Sequence, residues 1–142
     1  MNNAELIITL TLIKGLGRKT INKIIRQGVL NSLETIETID YLNNINLKIK
    51  GIITKDELKY ANEVAKRTIE ICDREDIKIS TLLDEDFPQK LKNIDDNPVI
   101  IYSKGDYNNL NDKGVAIIGS RNPSLHGVNV SYKISSILSQ KN

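Results

Sequence analysis

The segment GVAIIGSRNPSLHG, residues 114–127, constrains the fold more than any other part of the chain. Its residues Val115–Ile118 form a short, continuously apolar run, which is typical of a strand buried on both faces of a parallel sheet. Gly119 then permits a sharp turn, and Ser124 is a suitable N-cap for a following helix. The segment therefore predicts a strand, a turn and a helix that belong to a Rossmann-like α/β sheet.

The beginning of the chain is predicted to be helical. Apolar residues recur at helical spacing over 4–13 and again over 18–28, and the sequence KGLG at 14–17 separates the two runs with a turn. Ser32 is predicted to cap a short third helix. Two helices joined by a Gly-hydrophobic-Gly turn are typical of a helix-hairpin-helix.

A longer helix is predicted after this hairpin. Thr54 and Glu57 match the capping box, in which each side chain satisfies a free backbone N–H of the other residue. An apolar stripe continues from there to about Arg74, and Cys72 lies on it. We therefore expect one helical domain over 1–74, with Cys72 as a buried thiol.

The sequence changes character at Asp76. Residues 77–83 alternate and are rich in β-branched side chains, and residues 97–105 form a second apolar run entered through a proline, so both are predicted to be strands. The chain ends in an amphipathic helical pattern. The predicted fold class is α+β to α/β: a helical domain followed, over 75–142, by the beginning of a Rossmann-like α/β domain.

Composition excludes several classes of protein. The chain is 39% hydrophobic and 27% charged, which predicts a folded core, and its net charge of +2 does not by itself demand a nucleic-acid partner. One cysteine and one histidine, far apart, exclude a disulfide framework and disfavour a metal site. No apolar run approaches the roughly 20 residues of a membrane span. We expect a cytoplasmic protein without a cofactor or a membrane partner.

The hairpin turn is the first candidate site. Gly15 and Gly17 could direct backbone N–H groups at a DNA phosphate, with Arg18 and Lys19 adding positive charge beside a favourable helix dipole. Further cations follow on the same predicted helix, which suits contact with a nucleic-acid backbone irrespective of sequence. In the alternative interpretation, the glycines only form the turn and the cations are solvated.

The turn after the apolar run at 115–118 is the second candidate site. Ser120 offers a hydroxyl and Arg121 a planar cation, both suited to phosphate oxygens, while Gly119 and Gly127 permit close approach of a ligand. The dinucleotide and P-loop fingerprints are absent. Without a nucleophile or acid partner, His126 is predicted to be either a surface residue or a residue that supports the turn, not a base, and no catalytic residue is expected. The alternative is a plain turn with a solvated arginine.

Three motifs in this order resemble the DNA-processing protein A family, also called DprA or Smf. They are the sequences FPQKL, NPVIIYSKG and VAIIGSRNPSLHG, at spacings similar to those of the family. The residues that carry the resemblance are Phe87, Pro88, Leu91, Pro98, Tyr102, Gly105, Gly119, Ser120, Arg121, Ser124 and Gly127. His126 departs from the family, which usually has a tyrosine at this position.

This resemblance implies a sterile-alpha-motif-like (SAM-like) or helix-hairpin-helix domain joined to a Rossmann-like domain. It implies a non-enzymatic mediator of recombination that binds single-stranded DNA during natural transformation (competence), loads the RecA recombinase and forms a homodimer. The Gly-Ser-Arg turn would line the pocket for DNA phosphates, which assigns that role to Gly119, Ser120 and Arg121. The family's later strands are not present in this sequence, so we expect an N-terminal portion truncated within the Rossmann-like domain.

Two other functions remain open on the sequence. A helical module that binds a protein partner without DNA would have the same composition. A Rossmann-like enzyme fragment that binds a nucleotide phosphate could use a similar Gly-Ser-Arg turn, although no catalytic group is visible beside it.

Overall fold

The computed structural model describes residues 2–28, 35–44 and 52–140. In chain order the elements are α1 (Asn3–Leu12), α2 (Arg18–Arg26), α3 (Thr35–Asn44), α4 (Lys55–Arg74), β1 (Lys78–Thr81), α5 (Gln89–Lys92), β2 (Ile100–Ser103), a 3-10 helix (Tyr107–Asn111) and α6 (Leu125–Ser139). Ser32, the predicted cap of a short helix, lies outside the described residues.

Local side-chain caps fix the starts of three helices. At α1, Asn2 accepts a hydrogen bond from the backbone N–H of Glu5 at 2.8 Å. At α4 the predicted capping box is confirmed: Thr54 accepts from the backbone N–H of Glu57, and the Glu57 carboxylate accepts from the backbone N–H of Thr54. Ser124 caps α6 as predicted. These starts are set by neighbours in sequence, which explains why the sequence identifies them.

The chain divides into two compact units, Met1–Asn111 and Asp112–Asn142. In the first unit, α1 is the central helix and contacts α2, α4 and both strands. Its core is built from aliphatic side chains of the helices, of the turn after α1 and of the segments before α4 and β2: Leu6, Ile7, Leu10, Ile13, Leu16, Ile21, Ile24, Leu42, Ile53, Leu58, Ala61 and Val99. Cys72 is also buried, as predicted, and burial raises the pKa of its thiol.

The strands of the first unit form a two-stranded antiparallel sheet. β1 pairs with β2 in a register that places Ile79 opposite Tyr102 and Thr81 opposite Ile100. Both strands lie within segments that the sequence predicts to be extended. The fold of the described residues is therefore α+β, and it does not include the predicted parallel sheet.

The first compact unit extends beyond residue 74, where the sequence places a domain boundary. Val99, just before β2, belongs to the same core cluster as the helices, and half-buried Leu83 and Ile100 pack against that cluster. The strands thus pack on the helical part through the contacts of α1 with β1 and β2. The domain boundary at 74/75 stays a prediction, because a compact unit of the structure and a domain conserved in evolution are defined differently.

The prediction of a buried strand at Val115–Ile118 is wrong. Residues 113–120 form no helix or strand, and the side chains of Val115 and Ile118 are 70% and 92% exposed. A strand requires hydrogen-bonded neighbours, and no strand of the described chain pairs with this segment. Apolar character alone therefore does not make it extended and buried.

The second unit combines this irregular segment with α6. The predicted amphipathic helix is present, but its apolar side chains are not covered: Val130, Ile134 and Ile137 are all exposed. In α6 no described side chain is fully buried. None of the helices in the described part of the chain is long and apolar enough to cross a membrane.

Asp84 stabilises the turn after β1, and its effect should depend on pH. Burial alone would raise the pKa of its carboxyl, but hydrogen bonds from Asn3 and Thr81, together with the charge of Lys78, hold that pKa below its usual value. The carboxylate therefore contributes stability above the unfolded-state pKa of about 3.9, and this contribution disappears as pH falls through the lowered folded-state pKa.

We expect urea unfolding to show this contribution as a difference between the wild-type chain and Asp84→Asn. The difference in free energy of unfolding should be largest near neutral pH and should shrink below about pH 4. A difference that stays constant down to the acid limit would contradict an ionised Asp84 as its source.

Candidate nucleic-acid interface

The turn at residues 119–124 is organised by its own hydroxyl groups. The Ser120 Oγ accepts a hydrogen bond from the backbone N–H of Asn122 at 3.3 Å and lies 3.4 Å from the carbonyl oxygen of the same residue. Ser124 then accepts from the backbone N–H of Gly127 at 3.2 Å, which starts α6. The predicted polar residues of this segment therefore form a turn that leads directly into a capped helix.

Arg121 is the cation of this turn. Its side chain is exposed, and no carboxylate of the described residues lies within 4.0 Å of it. It precedes the N-terminus of α6, where the partial positive charge of a helix dipole also favours an anion. His126 is exposed, in agreement with its predicted place on the surface. The turn can therefore bind an anion with a guanidinium and a helix end that are both accessible.

The two glycines of this segment are not required by the backbone that the structure shows. Gly119 is not in the left-handed region, and a Cβ added there would meet nothing within 4 Å. A Cβ at Gly127 would lie 3.5 Å from the Ser124 Oγ, which is an ordinary contact. If these glycines have a role, it lies in the approach of a ligand, which stays a prediction.

The turn between α1 and α2 does require one of its glycines. Gly15 has a φ of 93°, a conformation that disfavours other residues, and buried Leu16 anchors the turn in the core. Gly17 is the N-cap of α2 and provides no side-chain hydrogen bond to the free N–H groups of the helix. The predicted pair of helices around this turn is therefore present, with a helix start open to an anion.

The two cations predicted for the hairpin differ in their surroundings. The guanidinium of Arg18 forms two hydrogen bonds with the carboxylate of Asp96, one of them 3.0 Å long, so its charge is already paired. Lys19 is exposed and has no carboxylate within 4.0 Å in the described residues. Of the two, Lys19 is the cation available to a ligand.

A buried amide beside the hairpin was not predicted. Asn22, on α2, is nine-tenths buried and donates from its Nδ2 to the backbone carbonyl of Asn97 at 3.0 Å. Its Oδ1 has no hydrogen-bond partner among the described residues, and neither has the Oδ1 of Asn97. Both asparagines are distant in sequence, so no local pattern identifies the pair.

The candidate residues thus belong to different compact units. Gly119, Ser120, Arg121 and Gly127 lie in the second unit, and the four hairpin residues lie in the first. Within 2–28, 35–44 and 52–140, no group of three or more His, Cys, Asp or Glu residues could hold a metal ion. The accessible cations and helix ends suit the binding of anions at both places.

Comparison with known protein families gives a match to part of the chain. Residues 78–142 match the family model described as DNA recombination-mediator protein A. This range includes β1, β2 and the whole turn from Gly119 to Gly127. No curated protein and no solved structure matches the chain significantly.

Proposed function

We propose, from the match of residues 78–142 to the family model of DNA recombination-mediator protein A, that this chain binds single-stranded DNA in recombination. The family match supports a role in DNA processing. It agrees with the resemblance drawn from the motifs around Phe87, Tyr102 and Arg121. In this proposal the Gly-Ser-Arg turn binds phosphates of the DNA backbone.

The accessibility of Arg121 is the observation that carries the proposal. The guanidinium has no carboxylate partner in the described chain and lies on an exposed turn just before a 15-residue helix. A planar cation can donate two parallel hydrogen bonds to one phosphate, and the nearby helix end favours the same charge. Because such contacts do not read bases, binding should be independent of DNA sequence.

The further roles in the proposal come from the family resemblance. They are participation in natural transformation, loading of RecA, formation of a homodimer, a cytoplasmic location and the absence of enzymatic activity. The finer fold assignments, a SAM-like or helix-hairpin-helix domain and a Rossmann-like domain, belong to the same proposal. The α+β fold and the hairpin of α1 and α2 are compatible with the first of these assignments.

Replacement of Arg121 tests the DNA site. We expect Arg121→Ala to weaken binding of a fluorescent oligothymidylate by about 1–3 kcal/mol, the range for a charge-assisted hydrogen bond. The plot of log K against log salt has a negative slope, and its magnitude should decrease by about 0.7, the share of one phosphate on a single strand. Arg121→Lys should restore part of the affinity, since an ammonium cannot form the bidentate contact.

The matched control is Lys133→Ala, which removes one exposed charge from α6 in the same unit. It should change the affinity much less than Arg121→Ala. Equal losses of affinity in the two variants would show that only the net charge of the chain determines binding, which would refute a site at the turn. Displacement of the oligonucleotide by an equal concentration of a mononucleotide would favour a nucleotide-binding function instead.

A further inference from the structure

We infer that the outer face of α2 is a second binding surface for the phosphate backbone of single-stranded DNA. The surface consists of Lys19, Lys23 and Arg26, which we call the α2 basic stripe. The inference rests on the proposed function for its ligand, but it concerns different residues in the other compact unit. It extends the predicted hairpin site from the glycine turn and Lys19 to the side chains further along the helix.

The spacing of the three cations aligns them on one side of α2. Positions 19, 23 and 26 are separated by four and three residues, so their side chains lie above one another on the helix. At a rise of about 1.5 Å per residue, they extend over roughly 10 Å, which is enough to contact more than one phosphate. All three are exposed.

The opposite side of α2 fixes the stripe to the core. Ile21 and Ile24 are almost completely buried, and Ile25 packs against the same cluster. The pair between Arg18 and Asp96 and the hydrogen bond from Asn22 to Asn97 hold the flank of the helix against the segment before β2. The stripe is therefore presented on a helix whose orientation is determined before a ligand arrives, so only the cationic side chains must become ordered on binding.

The charges of the stripe are not neutralised by the protein. In the part of the chain that the structure describes, no carboxylate lies within 4.0 Å of the charged nitrogens of the stripe. Of the two acidic residues in the segment before β2, Asp95 lines the same cavity without an ion pair to the stripe, and Asp96 is paired with Arg18. Unpaired cations in line attract a polyanion and release its counterions when it binds.

A small cavity lies along the stripe. It has a volume of about 170 Å³ and is lined by the three cations, Asn22 and Asp95. Asn22 contributes an amide whose Oδ1 is buried and has no hydrogen-bond partner among the described residues. The three cations around this cavity suit the repeated phosphates of one DNA strand.

The test uses the complete chain with the stripe neutralised as Lys19→Gln/Lys23→Gln/Arg26→Gln. Glutamine keeps the helix propensity high and the substituted side chains are exposed, so the fold should be retained, as an unchanged far-UV circular dichroism melt would verify. In fluorescence anisotropy with an oligothymidylate, we expect about a ten-fold or larger loss of affinity at low salt. The magnitude of the salt slope should decrease by about 2, three times the share of one phosphate.

A matched variant removes the same charge from another helix of the first unit. Lys55→Gln/Lys59→Gln/Arg67→Gln changes three exposed cations of α4. This control should retain most of the affinity and of the salt slope. Equal losses from the two triple variants would overturn the inference, because only net charge would matter. A charge-conserving Lys19→Arg/Lys23→Arg chain should retain more of the affinity than the glutamine variant, because it keeps the positive charge.

The outcomes separate this inference from the function on which it rests. A stripe variant that binds normally while Arg121→Ala binds weakly overturns the stripe and leaves the proposed function intact. The reverse result supports the stripe and refutes the site at the turn. Failure of the wild-type chain to bind the oligonucleotide refutes both. Displacement of the oligonucleotide by inorganic polyphosphate at equal phosphate concentration would overturn DNA as the ligand of the stripe.

Discussion

Replacement of Phe87 with Ala should lower the free energy of unfolding of the first unit by about 3–5 kcal/mol, the usual cost of removing a large buried aromatic side chain. Phe87 is 1% exposed and is followed by buried Pro88, which starts α5. The ammonium of Lys92 lies 5.9 Å from the centre of the Phe87 ring and donates a hydrogen bond to the backbone carbonyl of Asp84. Loss of the ring therefore leaves a cavity and loosens the connection between the two strands.

Tyr60→Ala provides the matched control, because this aromatic side chain is 71% exposed on α4. Its substitution should change the free energy of unfolding by no more than about 0.5 kcal/mol. Urea denaturation followed by circular dichroism would measure both variants. Similar small effects from the two would show that Phe87 does not support the fold as the structure indicates.

A chain limited to residues 1–74 should be less stable than one of residues 1–111 by about 3–6 kcal/mol. Removal of the later residues takes Val99 from the core and exposes the surface that Leu83 and Ile100 cover. Full burial of one such side chain contributes about 1.5–3 kcal/mol, and partial burial contributes less. Small domains have only about 5–15 kcal/mol of stability, so this loss is a large share of the total.

The predicted domain over 1–74 stays a prediction, and the stability of this fragment alone tests it. Thermal melts of the two fragments would measure that stability. We expect one cooperative transition for 1–111 and a broad, low-temperature transition for 1–74. Equally cooperative melts at similar temperatures would instead support a boundary at 74/75.

The parts of the fold that the sequence predicts correctly depend on local interactions. The capping box of Thr54 and Glu57 is closed between residues three positions apart, and the periodicity that buries Cys72 lies within one helix. The segment at Val115–Ile118 shows the limit of such patterns. Its composition suits a buried strand, but a strand also requires partners, and no described strand pairs with it. Pairing is a property of the whole sheet, which a short apolar run cannot reveal.

The candidate sites show the same division. Exposure of Arg121 and Lys19 follows from their types and positions, and the Ser124 cap follows from the residues beside it. Sequence patterns gave no sign that Asp96, 78 positions away, pairs with Arg18. The partly unsatisfied Asn22 likewise depends on a residue 75 positions away. These long-range contacts decide which cations of α2 are unpaired, and the proposed DNA surface depends on them.

The attachment of α2 to Asp96 and Asn97 has a consequence for the order in which the molecule acquires its structure. Protein synthesis proceeds from the N-terminus, so α2 leaves the ribosome long before the residues that hold its flank. Those partners are 78 and 75 positions further along the chain. Contacts over such separations form late, because a long loop must first be closed. The nascent helix can become helical early, but its basic stripe reaches its final orientation only after the segment before β2 has emerged.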